Sequence, residues 1–349
     1  MSVWNRSFRI AVALGLASAL LLMVACSPKG SGESGPIQLQ GMGATFPNPL
    51  YQKWVSEYGK LHTNIKIDYQ SQGSGAGIKQ IKEQTVDFGA SDAPMKDEDL
   101  KSAPAEILHI PTVLGAVVIT YNLADVAQKL HFAPDVIADI FLGKIKKWND
   151  PRIAADNAGA KLPASDITVV HRSEGSGTSA VFTDYLSKVS SEWKEKVGAG
   201  PSPSWPVGIG GKGNEGVTGQ VKNTPNTIAY VELAYAVQNK LPVAQVKNAN
   251  GTFVEPSIES VTAAAAASAA NTPDDLRVSI TNAPGANVYP ISSYTYILVY
   301  KNQKDATKGK ALIDFLWWGI HDGQSFATPL QYATLPRSSQ DHELRPSQP

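Results

Sequence analysis

His171-Arg172-Ser173-Glu174-Gly175-Ser176-Gly177-Thr178-Ser179 decides how this chain is read. It follows Ile167-Thr168-Val169-Val170, a β-branched run that reads as a buried strand. It precedes Ala180-Val181-Phe182-Thr183-Asp184-Tyr185-Leu186, whose apolar spacing suits a helix packed on one face. A strand that turns through Gly-Ser-Gly-Thr into a helix leaves backbone N–H groups unpaired at the positive end of the helix dipole. Such a turn is a ready anion site. Ser176, Thr178 and Ser179 add hydroxyl donors, Arg172 adds a fixed cationic fork, and Gly175 and Gly177 allow close approach.

Working outward, the same design recurs. Ile37-Gln38-Leu39-Gln40 reads as a strand, followed by Gly43-Ala44-Thr45-Phe46-Pro47 and by Leu50, Trp54, Val55 and Tyr58 at helical spacing. Thr45 is expected to cap that helix, with Pro47 and Pro49 in its permissive first turn. Ile65 to Gln70 alternates as a strand and leads through Gly73-Ser74-Gly75-Ala76-Gly77 into a helix from Ile78. Val86-Asp87-Phe88-Gly89-Ala90 reads as a short strand ending in the turn Ser91-Asp92-Ala93-Pro94. A tight strand-to-helix turn needs Gly and Ser for geometry alone. Repeated junctions with a hydroxyl at the helix start argue for a ligand as well.

Further along, Ile107 to Ile110 and Val113 to Tyr121 read as two strands, Pro134 to Gly143 as a helix, and Lys144 to Trp148 as a solvated helix end. Gly208-Ile209-Gly210-Gly211-Lys212-Gly213 formally fits the dinucleotide pattern, but Pro206 interrupts the strand it requires and no helix is evident after it. That stretch is expected to be a surface loop. Thr227 to Val231 and Tyr294 to Tyr300 read as strands, Val261 to Ala270 and Lys308 to Ile320 as helices. The alternation argues α/β sheets with ligands at the C-terminal ends of strands.

The chain has 349 residues, 42% apolar and 18% charged, enough for two lobes. Arg6 and Arg9 precede the apolar run Ile10 to Val24, and Ala25-Cys26 closes it, so residues 1–25 read as a secretory signal peptide. Leu22-Met23-Val24-Ala25-Cys26 resembles a bacterial lipobox, in which Cys26 becomes the lipidated first residue; plain cleavage is the alternative. Residues 26–36 read as a flexible tether. Cys26 is the only cysteine, so no disulfide framework is available. Without the two leader arginines, 29 cations face 31 carboxylates, a net charge of −2. A nearly neutral chain has no bulk field for nucleic acid or an anionic membrane, and an anion must be held by local dipoles.

If Thr45, Ser74, Ser176 and Thr178 converge, hydroxyls, helix N-termini and Arg172 would meet the carboxylates of Asp92 and Glu174. Ionised carboxylates only accept, and monohydrogen phosphate has a proton to donate. Fully ionised sulfate has none and would leave a buried carboxylate unsatisfied, on the order of 10²-fold or more in affinity. Blander readings have Asp92 capping the turn before Pro94 and Glu174 pairing with Arg172 on a surface.

The blocks Gly43 to Pro47, Asp87 to Pro94, Phe141 to Trp148, Arg172 to Ser179 and Gly210-Gly211-Lys212-Gly213-Asn214 resemble the PstS-type phosphate-binding proteins, exported receptors of the bacterial high-affinity phosphate ABC transporter. The resemblance runs from about Gln38 to Pro336. It implies a two-lobed periplasmic-binding-protein fold of type II, each lobe a mixed sheet flanked by helices, hinged by two crossovers near Gly115-Ala116 and near Asn271. Lobe 1 would comprise 37–116 and 271–349, and lobe 2 would comprise 117–270. It further implies that phosphate is held by Thr45, the backbone of Phe46, Ser74, Asp92, Arg172, Ser176, Gly177 and Thr178. Glu174 stands where the family pattern has Asp, so it either reaches the ligand differently or pairs with Arg172. The implied protein is a monomer outside the cytoplasm, lipid-anchored through Cys26, without cofactor or metal, delivering phosphate to an inner-membrane permease and its ATPase. The alternatives are a receptor for another oxyanion and a secreted phosphatase. Against the phosphatase, only His171 of six histidines adjoins the cradle, and Ser176 lacks the Gly-x-Ser-x-Gly setting of a nucleophile.

Overall fold

Each apolar run read as a strand forms one in a computed structural model of the chain, which describes residues 35–336 apart from position 274. The signal peptide, Cys26, most of the tether and the tail from Arg337 lie outside the described residues. The strands are β1 (Ile37–Gly43), β2 (Ile65–Ser71), β3 (Phe88–Ser91), β4 (Ile107–Asn122), β5 (His131–Phe132), β6 (Thr168–Arg172), β7 (Ile209–Gly211), β8 (Thr227–Glu232), β9 (Gln245–Lys247), β10 (Phe253–Val254) and β11 (Ser292–Tyr300). The helices are α1 (Asn48–Leu61), α2 (Ser74–Lys82), α3 (Asp97–Lys101), α4 (Pro134–Phe141), α5 (Pro151–Asp156), α6 (Gly177–Val189), α7 (Ser191–Lys196), α8 (Gly213–Asn223), α9 (Leu233–Gln238), α10 (Ile258–Ser268) and α11 (Ala306–Ile320).

Eight strands form one mixed sheet in the order β2-β1-β3-β11-β4-β8-β6-β7. Read inward from either edge, the sheet repeats itself. β2-β1-β3 is a parallel trio followed by the antiparallel β11, and β7-β6-β8 is a parallel trio followed by the antiparallel β4. In each trio the first strand lies in the middle, the second at the edge and the third inside, with helices making the crossovers. All six parallel strands therefore end on a common line, where open α/β sheets place ligands.

β4 ties the halves together. Its first part pairs with β11 as far as Ala116↔Ser292, and from Val117↔Glu232 onward it pairs with β8. The two expected runs are thus one strand through Pro111. The register slips between Thr295 and Tyr296, opposite Pro111 and Thr112, and a bulge is where a sheet tolerates a residue that has no N–H. β11 is buried along its whole length and β4 along nearly all of it, which is why apolar residues dominate both without strict alternation. One contiguous apolar cluster runs through both halves, with Trp54, Trp148 and Trp193 fully buried in it.

The structure corrects several sequence expectations. Thr45 does not cap α1: the cap position is Pro47, and the Thr45 hydroxyl is engaged elsewhere. The expected loop at 205–216 contains β7 and opens α8 directly, because three residues of strand suffice for an edge that starts beyond Pro206. Trp148 is buried, with its indole N–H on the Asn226 carbonyl, while Lys144 pairs with Glu192 and the buried Asp139 and Lys147 with the exposed Asp166. α10 begins three residues before Val261, set by a Ser257/Ser260 capping box.

Candidate functional site

Five of the six parallel strand ends deliver side chains to one buried place. β1 leads to Thr45 and Phe46, β2 to Ser74, β3 to Asp92, β6 to Arg172 through Thr178, and β7 to Asn214. Thr45, Ser74, Asp92, Ser176, Thr178 and Asn214 are each no more than 2% exposed, and Arg172 is 3% exposed. The nine residues expected at the site fall on these junctions.

The contacts fix which groups donate. Asn214 Nδ2 donates to Thr45 Oγ1 at 2.8 Å and lies 3.2 Å from Thr178 Oγ1, while its backbone N–H donates to Thr45 Oγ1 at 3.2 Å. Arg172 Nη1 donates to Thr178 Oγ1 at 3.2 Å. A hydroxyl oxygen has two acceptor sites and one proton. Both threonine oxygens therefore have their acceptor sites filled and can only donate further, Thr178 with the Asp92 carboxylate within reach. Ser176 caps α6, its oxygen accepting from Ser179 N at 3.0 Å, and the N–H groups of Gly177 and Thr178 occupy the first two helical positions, where no intrahelical partner exists. The arrangement is a preset cluster of donors.

Two carboxylates stand in it. Asp92 Oδ1 accepts from Thr295 Oγ1 at 2.9 Å, and Oδ2 lies 3.5 Å from Ser74 Oγ, whose oxygen takes the Asp92 N–H at 3.3 Å. Burial pushes the Asp92 carboxyl up to about 7, against the opposing pull of Thr295, Arg172, Ser74 and Thr178. Glu174 Oε1 accepts from Arg172 Nε at 2.9 Å, from Arg172 Nη2, and from Gly213 N–H at 3.1 Å. Its Oε2 is buried and has no partner among the described residues. Asp92 is therefore no simple turn cap, and Glu174 does pair with Arg172, whose guanidinium is buried while the Glu174 side chain stays partly exposed.

The two halves touch through backbone at this place. Gly75 N–H donates to Gly175 O at 2.9 Å, and a Cβ on Gly177 would lie 2.4 Å from Ser74 Oγ and 2.6 Å from Asp92 Oδ2. No larger residue than glycine fits that seam without displacing the carboxylate. His171 points into other chemistry: its ring stacks on Trp205 at 4.9 Å, and Nδ1 lies 2.9 Å from the Arg172 carbonyl.

Asn214 is the residue that reading the sequence missed. Its block carries a formal glycine pattern, but no helix is evident after it in the sequence, so nothing there marks Asn214 as a helix start. The repeat of the two trios would have found it, since a second trio needs a second strand-to-helix junction. Its Oδ1 also accepts the Glu232 N–H at 2.9 Å, so it braces three junctions at once. Asn214→Ala leaves Thr45 only the backbone N–H of residue 214 and Thr178 only Arg172, which loosens both hydroxyls and should weaken anion binding about tenfold, with folding retained. Titration calorimetry of the variant checks this, and unchanged affinity would remove Asn214 from the site.

A family model described as the PBP superfamily domain matches residues 30–317. The phosphate-binding protein PstS of Xylella fastidiosa (strain 9a5c) is 45% identical over 311 residues, 89% of this chain and 85% of that one. The phosphate-binding protein PstS of Pasteurella multocida (strain Pm70) is 49% identical over 299 residues, 85% of this chain and 86% of that one. Among solved structures, the phosphate-binding protein of Stenotrophomonas maltophilia shares the fold with a TM-score of 0.66 at 22% identity, covering 87% of this chain and 92% of that one. With the α/β topology, the match along most of the chain and the converging junctions in agreement, the chain belongs to the PstS-type phosphate-binding proteins of the PBP superfamily.

Proposed function

We propose that this protein captures inorganic phosphate between its two halves and delivers it to an ABC permease. The observation that carries the reading is the donor polarity of the cradle: Asn214 fills the acceptor sites of Thr45, so the Thr45 proton, the α6 N–H groups and one guanidinium converge as donors, the pattern an anion needs. Asp92 Oδ2 stands among those donors as an acceptor, which suits an oxyanion that carries a proton.

In this reading Thr45, the Phe46 backbone, Ser74, Ser176, Gly177, Thr178 and Arg172 donate to the ligand, and Asp92 accepts from it. Glu174 holds the guanidinium in plane rather than leading the contact. The lobes are 37–116 with the segment from 271, and 117–270, and they hinge where β4 changes partner between Ala116 and Val117. The role is binding rather than catalysis. It requires export, in keeping with the apolar leader, and anchoring through Cys26 would keep a monomeric receptor beside its permease. Among the described residues no helix is long and apolar enough to cross a membrane.

Calorimetric titration at pH 8.5 of protein refolded from denaturant, with phosphate and then with phosphate in excess sulfate, tests the proposal. Unfolding first matters because a tight binder arrives loaded. Saturable one-to-one binding that ignores sulfate is the expected result. Absence of phosphate binding, or equal displacement by sulfate, would refute it and favour a receptor for another oxyanion.

A further inference from the structure

The run 212–215 faces two ways. Gly213 N–H and Asn214 serve the cradle, while Lys212 and Glu215 are exposed and reach across the seam outside it. Glu215 Oε1 accepts from Asn48 Nδ2 at 3.3 Å, from Ser71 Oγ at 3.3 Å and from Tyr235 OH at 2.9 Å. The Tyr235 hydroxyl is shared with the Thr45 carbonyl at 2.5 Å. Lys212 Nζ donates to Gln72 Oε1 at 2.9 Å. Asn48, Ser71 and Gln72 sit at the start of α1 and the end of β2, in one half of the sheet. Lys212 and Glu215 belong to the β7–α8 junction of the other half.

We infer that Glu215 is a clasp that sets how long the closed protein holds its ligand; this rests on the phosphate-capture reading. Its bonds to Asn48 and Ser71 exist only while the halves are together, so they stabilise the closed form and leave the open form untouched. A contact made in one of two states shifts the balance between them by its own free energy and nothing more. Glu215 stands outside the donor cluster, so it changes closure without changing what the cradle recognises. Three neutral donors converge on one oxygen, so an acceptor at that position is what the clasp needs, and a formal charge is not.

The test compares wild type, Glu215→Ala and Glu215→Gln by stopped-flow phosphate binding and by small-angle X-ray scattering with and without phosphate. Glu215→Ala should release phosphate about tenfold faster, with an association rate within about twofold of wild type, because losses of closed-state contacts appear in dissociation. Its ligand-free form should scatter with a larger radius than wild type, and saturating phosphate should bring the two together. Glu215→Gln should recover most of the slow release. Dissociation unchanged in Glu215→Ala overturns the clasp. A slower association together with new sulfate competition also overturns it, because Glu215 would then be shaping the cradle through Asn214. If wild type itself fails to bind phosphate, the capture reading falls, and the ligand-free scattering still decides the clasp: an unchanged radius in Glu215→Ala rejects it.

Discussion

Arg172→Ala is expected to lower phosphate affinity by about 10³-fold, because truncating one partner of a buried, hydrogen-bonded charge pair costs roughly 2–5 kcal/mol. Two losses combine. The ligand loses the one guanidinium among its donors, and Thr178 Oγ1 loses one of the two N–H groups that fix its orientation. Glu174 is left with Gly213 N–H and an Oε2 that already lacks a partner. A buried carboxylate stripped of its cation is costly in its own right. The Glu174→Gln background separates the terms. If the stranded charge causes most of the damage, the double variant binds better than Arg172→Ala alone; if the missing cation does, the two losses add. Arg172→Lys should recover only part of the affinity, because an ammonium cannot keep Nε on Glu174 while a second nitrogen reaches Thr178. Calorimetry at constant ionic strength, with circular dichroism to confirm folding, reads all four variants. Affinity within tenfold of wild type in Arg172→Ala would show that hydroxyls and helix ends suffice.

The site was legible wherever a local signal marked it. Thr45, Ser74, Asp92 and the Arg172–Thr178 loop each follow an alternating or β-branched run and each precede a turn residue, so the strand ends could be placed from the sequence. β7 escaped because three residues give no periodicity to detect, and with it went Asn214. The same shortness hid β5, β9 and β10, whose three-stranded sheet is held by tertiary contact rather than by pattern. Thr45 was assigned the wrong job for an instructive reason. A threonine ahead of a proline-rich helix start satisfies every local rule for a cap, yet Asn214, 169 residues away, takes its hydroxyl. Glu174 is different: the sequence leaves two roles open, and its pairing with Arg172 and with Gly213 N–H depends on a contact 39 residues away that no local pattern announces.

Asp92 should make sulfate exclusion depend on pH, and Asp92→Asn should abolish that dependence. Burial lifts this carboxyl from its ordinary 3.8 to about 7, so below that pH it carries its own proton and above it only accepts. Ionised sulfate brings no proton. Above about pH 7 its binding must draw one onto Asp92, so sulfate affinity should fall about tenfold for each further pH unit. Phosphate supplies the shared proton itself and should fall less steeply, so discrimination widens from pH 6 to pH 8.5. Asn carries donors at every pH, and Asp92→Asn should admit sulfate equally at both ends of that range. Its phosphate affinity should drop about tenfold, and the discrimination against sulfate should drop by about 30-fold at pH 8.5 and little at pH 6. The ligand-free protein offers an independent reading of the same proton. A carboxyl raised in the folded state binds its proton more tightly there than in the unfolded chain. Its contribution to stability is complete below about pH 4 and is lost as pH rises through about 7. Melting of the stripped protein should therefore move down between pH 5 and pH 8, and Asp92→Asn should flatten that part of the profile. Competition calorimetry with sulfate at pH 6, 7 and 8.5 is the deciding measurement. Sulfate excluded to the same degree at all three, or still excluded by Asp92→Asn, would mean that the buried carboxylate is not the gate, and discrimination would have to arise from the donor geometry around Thr178 and Arg172.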